Sequence, residues 1–459
     1  MEPDYRAAIR PFVDGRPILA AFEAATGAVE FAARLRELGA LRTYLIAGSR
    51  GQEELPVQKT LPHSILGISA SSVMDGFRAF DAALADLGDD VVASVNTFDP
   101  DGDALVLTAP SASVASIAQR PVFGARPADW LALEDKLVAD RIWQETDTPH
   151  AIYRHSSVSM AGLLDAFESL DSGRGMVVTG DNKEGWHGGG EYVRWARTPG
   201  DVPAVLDYFE HRSDRVRVMP FLDGIPCSIH GLVVPHRTLT FRPVEMVVLR
   251  RQGNPVFQYA GMATAWDPRE EDRTSMKKIA SRVGEYLRRS VGYRGAFSID
   301  GVMTAAGFRP TELNPRLSGG FAMQASAIED LPAGLVNRAL AAGHLLDIDW
   351  DALEQKMVLA SDKTRRGRST IPLGHLLDVD HRSRVRWESG RWIEDQPGTA
   401  TIATGSGIAN SMLWFTPDPG SLPVGSSVAP MVCEAIAFAN DRWHVGAGHF
   451  EAAPDLRPK

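Results

Sequence analysis

Short apolar runs alternate with amphipathic stretches in the opening part of the chain. Residues 17–21 are apolar, apolar positions recur at helical spacing over about 27–39, and 43–47 is apolar again before the turn Gly48-Ser49-Arg50-Gly51. The alternation predicts a parallel α/β domain. A helix over 72–87 and strands over 90–95 and 104–107 complete it. No G-x-G-x-x-G follows the first strand, so no dinucleotide is assigned there.

Pro121, Gly124 and Pro127 then interrupt the pattern. A helix is predicted over 130–145 with Lys136 in its first half, another over 160–170, a strand over 176–179, and a loop over 180–190 that holds Gly185, Gly188, Gly189 and Gly190. After the loop the period becomes two. Segments 192–194, 215–219, 228–233, 239–248 and 256–260 read as strands of an antiparallel sheet. A helix over 272–290 leads to a last strand pair, 296–300 and 309–314. From about 347 the pattern shortens to strands at 384–387, 399–403 and 412–415, a basic stretch 363–368 and a helix near 430–439. The expected division is therefore 1–125, 126–345 and 346–459, the last a small α+β appendage.

Composition narrows the function classes. A chain of 459 residues is long for one core, so a cleft between domains is expected. A formal net charge of -10 argues against a general nucleic-acid binder, which needs a basic surface to neutralise phosphates. Arg6, Arg10, Asp14 and Arg16 interrupt every early apolar run, and no stretch approaches the roughly 20 apolar residues of a membrane span. Cys227 and Cys433 are too few for a disulfide framework or a zinc site. A cytoplasmic protein with no nucleic-acid or membrane partner is the expectation.

Chemistry concentrates near residue 300. Two strands joined by a turn at 304–307 place Asp300 on one and Glu312 and Asn314 on the same face of the other, because strand side chains repeat every two residues. Three oxygen-bearing groups then converge, a set suited to Mg²⁺ that takes its remaining ligands from nucleotide phosphates. Arg316 would aim a guanidinium at the same phosphates. Read alone, Asp300 and Glu312 are equally well ordinary hairpin residues, with Asn-Pro ending a strand.

The flanking residues change that balance. The string Gly292-Tyr293-Arg294-Gly295-Ala296-Phe297-Ser298-Ile299-Asp300, followed by Thr311-Glu312-Leu313-Asn314-Pro315-Arg316-Leu317-Ser318-Gly319-Gly320, resembles the metal-binding end of ATP-grasp enzymes. Biotin carboxylase and the carboxylate-amine ligases carry such an acidic residue and then Glu-x-Asn-x-Arg. Upstream, Asp135-Lys136 resembles the family's Asp-Lys, whose lysine reaches phosphate. The segment 176–190 is similar to its glycine-rich flap, with Gly188, Gly189 and Gly190 approaching phosphates through backbone N–H groups. Met219-Pro220-Phe221-Leu222-Asp223-Gly224 resembles the hinge whose backbone faces adenine, which assigns Met219 and Phe221 to nucleotide binding. One position departs from the family: Thr179 stands where a phosphate-binding lysine is usual, and Lys183 is the candidate substitute. His187 reads as a phosphate contact or as a solvated loop residue.

The resemblance implies a pre-ATP-grasp parallel α/β domain, an ATP-grasp fold of two α+β subdomains and the C-terminal appendage. It implies ATP and Mg²⁺ as cofactors, a small carboxylic acid or amino acid plus an amine as partners, and amide formation through an acyl phosphate. The layout resembles peptide and amino-acid ligases of actinobacterial natural-product pathways, the pheganomycin-type group among them. Arg316 and Arg294 are the catalytic candidates, with Arg242 and Arg250 as further forks for a carboxylate. Asp223, Glu245 and His230 read either as contacts to nucleotide or amine or as hairpin pairs, and Cys227 as a core residue. Two alternatives stand: an ATP-grasp enzyme with another acceptor, such as a kinase or a thiol or alcohol ligase, and a non-catalytic nucleotide-binding regulator. A homodimer is the common association for such enzymes.

Overall fold

The computed structural model describes residues 4–458 apart from 26, 52–57, 184, 186, 252 and 408. The first strands, β1 (Pro17–Ala24), β2 (Arg42–Ser49), β3 (His63–Ile65) and β4 (Leu105–Thr108), form a parallel sheet in the order β3-β2-β1-β4. Around it lie α1 (Tyr5–Val13), α2 (Ala28–Glu37), α3 (Val73–Ala85) and α4 (Asp89–Phe98). Asp4 and Ser72 cap α1 and α3, each accepting backbone N–H bonds that the first helical turn leaves unmade. The strand expected over 90–95 is instead α4. Gly88 followed by Asp89 and Asp90 suits a helix N-terminus, and Val91, Val95 and Phe98 fall on one buried face.

A two-strand hairpin, β5 (Ser116–Ile117) and β6 (Arg120–Pro121), precedes α5 (Ala128–Leu131) and α6 (Lys136–Glu145). The single helix expected over 130–145 is broken at Asp135, whose extended backbone ends one short helical turn while its carboxylate accepts the Leu137 N–H at 2.8 Å. Lys136 therefore opens α6. A small antiparallel sheet follows, β7 (Arg154–Ser157), β10 (Arg215–Pro220), β8 (Met176–Gly180) and β9 (Val193–Ala196), in that order. It is backed by α7 (Met160–Leu170) and α8 (Val202–Phe209) around an apolar core that includes Phe167, Val178 and Phe209.

The largest sheet is antiparallel and runs through the rest of the chain. Its central strands are β11 (Ile225–Val233), β13 (Val244–Arg251), β14 (Phe257–Ala263), β15 (Gly295–Thr304) and β16 (Gly307–Asn314), with β12 (Thr238–Thr240) and β22 (Phe450–Glu451) at its side. The strand expected over 239–248 is two strands, because Pro243 offers no N–H to a ladder and the Arg242 N–H leaves it for Gln324 Oε1 at 3.1 Å. Beyond β14 the sheet continues through β17 (Gly367–Pro372), β21 (Ser411–Pro417), β20 (Ala400–Ser406), β18 (Arg382–Glu388) and β19 (Arg391–Glu394). The C-terminal strands thus extend the central sheet.

Helix α9 (Glu270–Tyr286) packs on β11 and β15, and Leu287–Val291 form a wider π-type turn at its end. The expected helix over 272–290 thus covers two helical forms. Helices α10 (Gly319–Ala325), α11 (Ala333–Ala341) and α12 (Trp350–Lys363) share a core with α1, joining Tyr5, Ile9 and Val13 to Leu335, Val336, Leu353 and Met357. Helix α13 (Ala429–Trp443) covers the far part of the sheet. Among the described residues no helix is long and apolar enough to cross a membrane.

Candidate functional site

The β15–β16 hairpin sets Ser298 opposite Asn314 and Asp300 opposite Glu312, so the four side chains share a face. Asn314 Nδ2 donates to Asp300 Oδ2 at 2.9 Å, and Arg316 Nη2 donates to Asn314 Oδ1 at 2.9 Å. Lys136 Nζ lies 3.2 Å from Glu312 Oε1. The lysine is buried because α6 packs against β16.

A bulge next to the carboxylates brings in a further cation. The ladder jumps from Asp300–Glu312 to Gly301–Pro310, leaving Thr311 as the extra residue. The Thr311 carbonyl accepts from Arg217 Nη2 at 2.7 Å. Arg217 sits on β10 directly opposite Thr179, and its Nη1 also donates to the Lys136 carbonyl at 3.1 Å and to Asp140 Oδ1 at 3.0 Å. Both Thr179 and Arg217 line the same space, so a guanidinium stands opposite Thr179 on that wall.

That space is a cavity of about 490 Å³ between the small sheet and the large one, within the size of small-ligand sites. Lys136, Gly188, Gly189, Gly190, Met219, Phe221, Asp300, Glu312, Asn314 and Arg316 all line it. Its apolar part is made by Met219, Phe221, Val248, Phe257 and Val302. Phe221 is held by the Trp195 ring at 4.2 Å between centroids, nearly parallel, and by the Arg250 guanidinium, which is tied to Asp223 at 2.8 Å and lies over the Phe221 ring at 4.9 Å from its centroid. Helix α3 of the parallel domain closes one side through Val73, Met74 and Phe77. From the same helix Arg78 makes a two-pronged contact with Glu191, just past the glycine loop, at 2.9 and 3.0 Å.

Lys183 and Arg294 are not brought to this cavity. Asp181 accepts the backbone N–H groups of Lys183, Asp214 and Arg215, which folds the start of the loop against β10, and Lys183 Nζ pairs outside with Asp214 at 2.6 Å. Arg294 lines a second cavity, which meets the first at Arg316. His187 is neither solvated nor placed against the cavity: it is 2% exposed, stacked on Tyr192 with centroids 4.1 Å apart, and bonded to the Asp181 carbonyl. Burial, with the Lys136 charge, drives its pKa down to about 3, so the ring is neutral. Glu184 and Trp186 of the same loop lie outside the described residues.

The remaining candidates divide by partner. Arg242 is fully buried against Asp267, and Glu245 accepts the N–H groups of Val428 and Ala429 at the start of α13, so both are structural. His230 lines the large cavity as a neutral ring whose pKa burial lowers to about 3, and Cys227 is buried in the core. Sequence reading missed Arg217, the α3 side chains and Glu134. Glu134 is buried between Arg126 and Arg316, the latter at 3.3 Å.

The charge pattern fits a divalent cation. Burial first, and then the facing Glu312 carboxylate, hold the Asp300 carboxyl well above the usual carboxylate range, so a cation placed between the two would favour its charged form. Among the described residues no trio of His, Cys, Asp or Glu converges on a metal-sized space. Two carboxylates and an amide oxygen suit an ion that completes its shell with water and phosphate oxygens.

No protein-family model matches the chain, and no curated protein matches its sequence. Solved structures do resemble it. An L-amino acid ligase from Bacillus licheniformis is 12% identical, covering 96% of this chain and 98% of its own, with a TM-score of 0.53. The biotin carboxylase domain of the Hydrogenobacter thermophilus 2-oxoglutarate carboxylase, solved with MgADP and bicarbonate, is 10% identical, covering 95% and 91%, with a TM-score of 0.52. A carboxyaminoimidazole ribonucleotide synthase from Aspergillus clavatus, complexed with ATP, is 10% identical, covering 93% and 99%, with a TM-score of 0.50. The shared architecture over nearly the whole chain is the ATP-grasp fold.

Proposed function

We propose that this chain is an ATP-dependent ligase that joins a carboxylic acid to an amine and releases ADP and phosphate. The observation that carries the reading is the Asp300–Glu312 pair, with Asn314, Lys136, Arg217 and Arg316 around it, at the wall of a cavity that also offers an apolar slot. Structures of the same fold that carry ATP or MgADP support it.

In this reading residues 1–125 are the pre-ATP-grasp domain, 126–345 the nucleotide-binding part and 346–459 an extension of its sheet. The adenine ring lies among Met219, Phe221, Val248 and Phe257, and the phosphates run toward Lys136 and Arg217 under Gly188–Gly190. Asp300, Glu312 and Asn314 would hold Mg²⁺, which supplies neutralisation of phosphate charge. A carboxylate oxygen attacks the γ-phosphorus as the bond to ADP breaks, and an acyl phosphate results. The amine nitrogen then attacks the acyl carbon, phosphate leaves, and the nitrogen loses a proton. Phosphoryl transfer depends mainly on positioning and on charge neutralisation, which Lys136, Arg217 and Arg316 provide. The glycine loop, latched through Glu191 to Arg78, keeps water from the acyl phosphate. Arg217 does the work of the missing lysine at Thr179, and this favours turnover over a silent nucleotide sensor.

The test is ADP formation from Mg·ATP with a panel of carboxylic acids and amino acids, each with and without amines, with mass spectrometry of the products. ADP with a new amide supports the ligase. ADP with a phosphorylated or thioester product moves the chain to another acceptor, and absence of both Mg·ATP binding and ADP overturns the reading.

A further inference from the structure

Beyond Arg316 lies a cavity of about 220 Å³ between the parallel sheet and α11. Its walls are of two kinds. Phe22, Phe31, Leu107, Val114, Val122 and Leu335 make it apolar, with the Phe22 and Phe31 rings edge to face at 5.1 Å. Four arginines, Arg126, Arg294, Arg316 and Arg338, also line it, and among the described residues no Asp or Glu does.

Arg126 and Arg316 both pair with the carboxylate of Glu134, whereas Arg294 and Arg338 have no carboxylate partner among the described residues. Arg338 donates only to neutral oxygens, the carbonyls of Phe123, Thr108 and Ala109 and the Thr108 hydroxyl, bridging α11 to β4. Burial and the nearby Arg126 charge lower its pKa to about 10, as befits a cation without an anion beside it. Arg294 lines the cavity and donates to the Tyr293 carbonyl at 2.9 Å, which uses one of the five N–H groups of its fork. A low-dielectric pocket lined by one sign of charge concentrates the opposite sign.

We propose that this second cavity is the acid pocket: it binds a carboxylic acid with a compact apolar body, the carboxylate between Arg294 and Arg316 and the body against Phe22, Phe31 and Leu107. The assignment rests on the ligase reading for its place in the reaction, since Arg316 lines both cavities and so sets the carboxylate beside the phosphates. Size defines the body. An apolar cavity of about 150 Å³ takes a benzene ring, so this one takes a ring with a short chain, or a branched alkyl group of that bulk. Small hydrophilic acids leave the aromatic wall uncovered.

Isothermal titration of the full chain, without nucleotide, compares 3-phenylpropanoate with acetate and with 3-phenylpropan-1-ol. The acid should bind at least about tenfold tighter than either, since acetate lacks the body and the alcohol lacks the charge. Arg294→Met should weaken the acid by about tenfold or more while leaving Mg·ATP affinity within about twofold, because Arg294 lines only the second cavity. Gly334→Leu is the second variant. Gly334 lies in α11 and lines the cavity, a Cβ there meets nothing within 4 Å, and leucine is the better helix former, so the fold is kept while the space is filled. It should remove the preference for 3-phenylpropanoate over acetate. Equal affinity for acetate, equal affinity for the alcohol, or an unchanged Arg294→Met would each overturn the proposal. Mg·ATP titrated separately tells whether the ligase reading fails instead.

Discussion

The two cavities that meet at Arg316 are built from opposite materials. The larger sets two carboxylates, Asp300 and Glu312, among Lys136, Arg217 and Arg316, with a fourth cation, Arg250, at its apolar end. The smaller sets four arginines on an apolar wall and, among the described residues, lines it with no carboxylate. A space that carries both signs can hold phosphates and a cation together, because each charge has a partner within a few ångströms. A space that carries one sign calls for an organic anion. In the ligase reading, charge composition therefore separates the proposed nucleotide site from the proposed acid site more sharply than volume does, and Arg316 lines both.

The strongest way to break this comparison is to take the acids out of the larger cavity. Glu312→Gln and Asn314→Ala should each lower Mg·ATP turnover by about a thousandfold or more, since groups acting directly on transferring phosphate contribute on that scale. Neither should unfold the protein, because Glu312 sits at the cavity wall with its side chain 23% exposed. Steady-state ADP release beside thermal melts checks both halves. Full turnover in Glu312→Gln would leave the carboxylate pair without a role and the two cavities without a functional difference.

Next in size is Arg217. Its pair with Asp140 is almost completely buried, with side chains 2% and 3% exposed, so Arg217→Met leaves that carboxylate with His155 in place of a permanent cation and should cost about 3 kcal/mol of stability in urea unfolding. Adding Asp140→Asn should recover a good part of that loss but none of the ATP affinity. Recovery of both would make Arg217 a structural strut and would reopen the question of what replaces a lysine at Thr179.

The contrast between the cavities also marks what the sequence could reveal. Asp300, Glu312, Asn314 and Arg316 were readable because two neighbouring strands and a period of two fix their shared face. The parallel sheet was readable from apolar runs separated by helical spacing. Arg217, Arg338 and the α3 side chains were not, because each reaches its cavity by packing between segments far apart in the chain, and Glu134 was not because it meets Arg316 the same way. Lys183 was attractive by proximity in sequence, but the Asp181 turn directs it outward. The helix α4 was missed for a local reason: paired Val91 and Val92 read as a strand, while Gly88-Asp89-Asp90 carried the helix-start signal.

Acid tests the loop that covers the larger cavity. His187 titrates near 3 in the folded chain against its usual 6.5, so its stabilising effect is fully present above about pH 6.5 and is lost as the pH falls toward 3. Between pH 6.5 and 5 the loop should lose at most about 2 kcal/mol of closure from this one group. Hydrogen exchange of 187–192 at the two pH values reads that loss directly. His187→Phe keeps a flat ring against Tyr192 and should flatten the pH dependence; an unchanged slope would trace it to other groups.

The smallest effect belongs to the latch between the cavities' two halves of the chain. Arg78 and Glu191 are partly exposed, at 29% and 22%, so their pair is worth about 1 kcal/mol even with two-pronged geometry. Glu191→Gln should therefore raise the KM for ATP by about fivefold with kcat little changed, and added salt should mimic it in the unmodified protein. The same substitution should leave binding of an apolar acid untouched, because neither residue lines the smaller cavity. A matching loss in acid affinity would mean that the loop and the parallel domain move as one body, and that the two cavities open and close together.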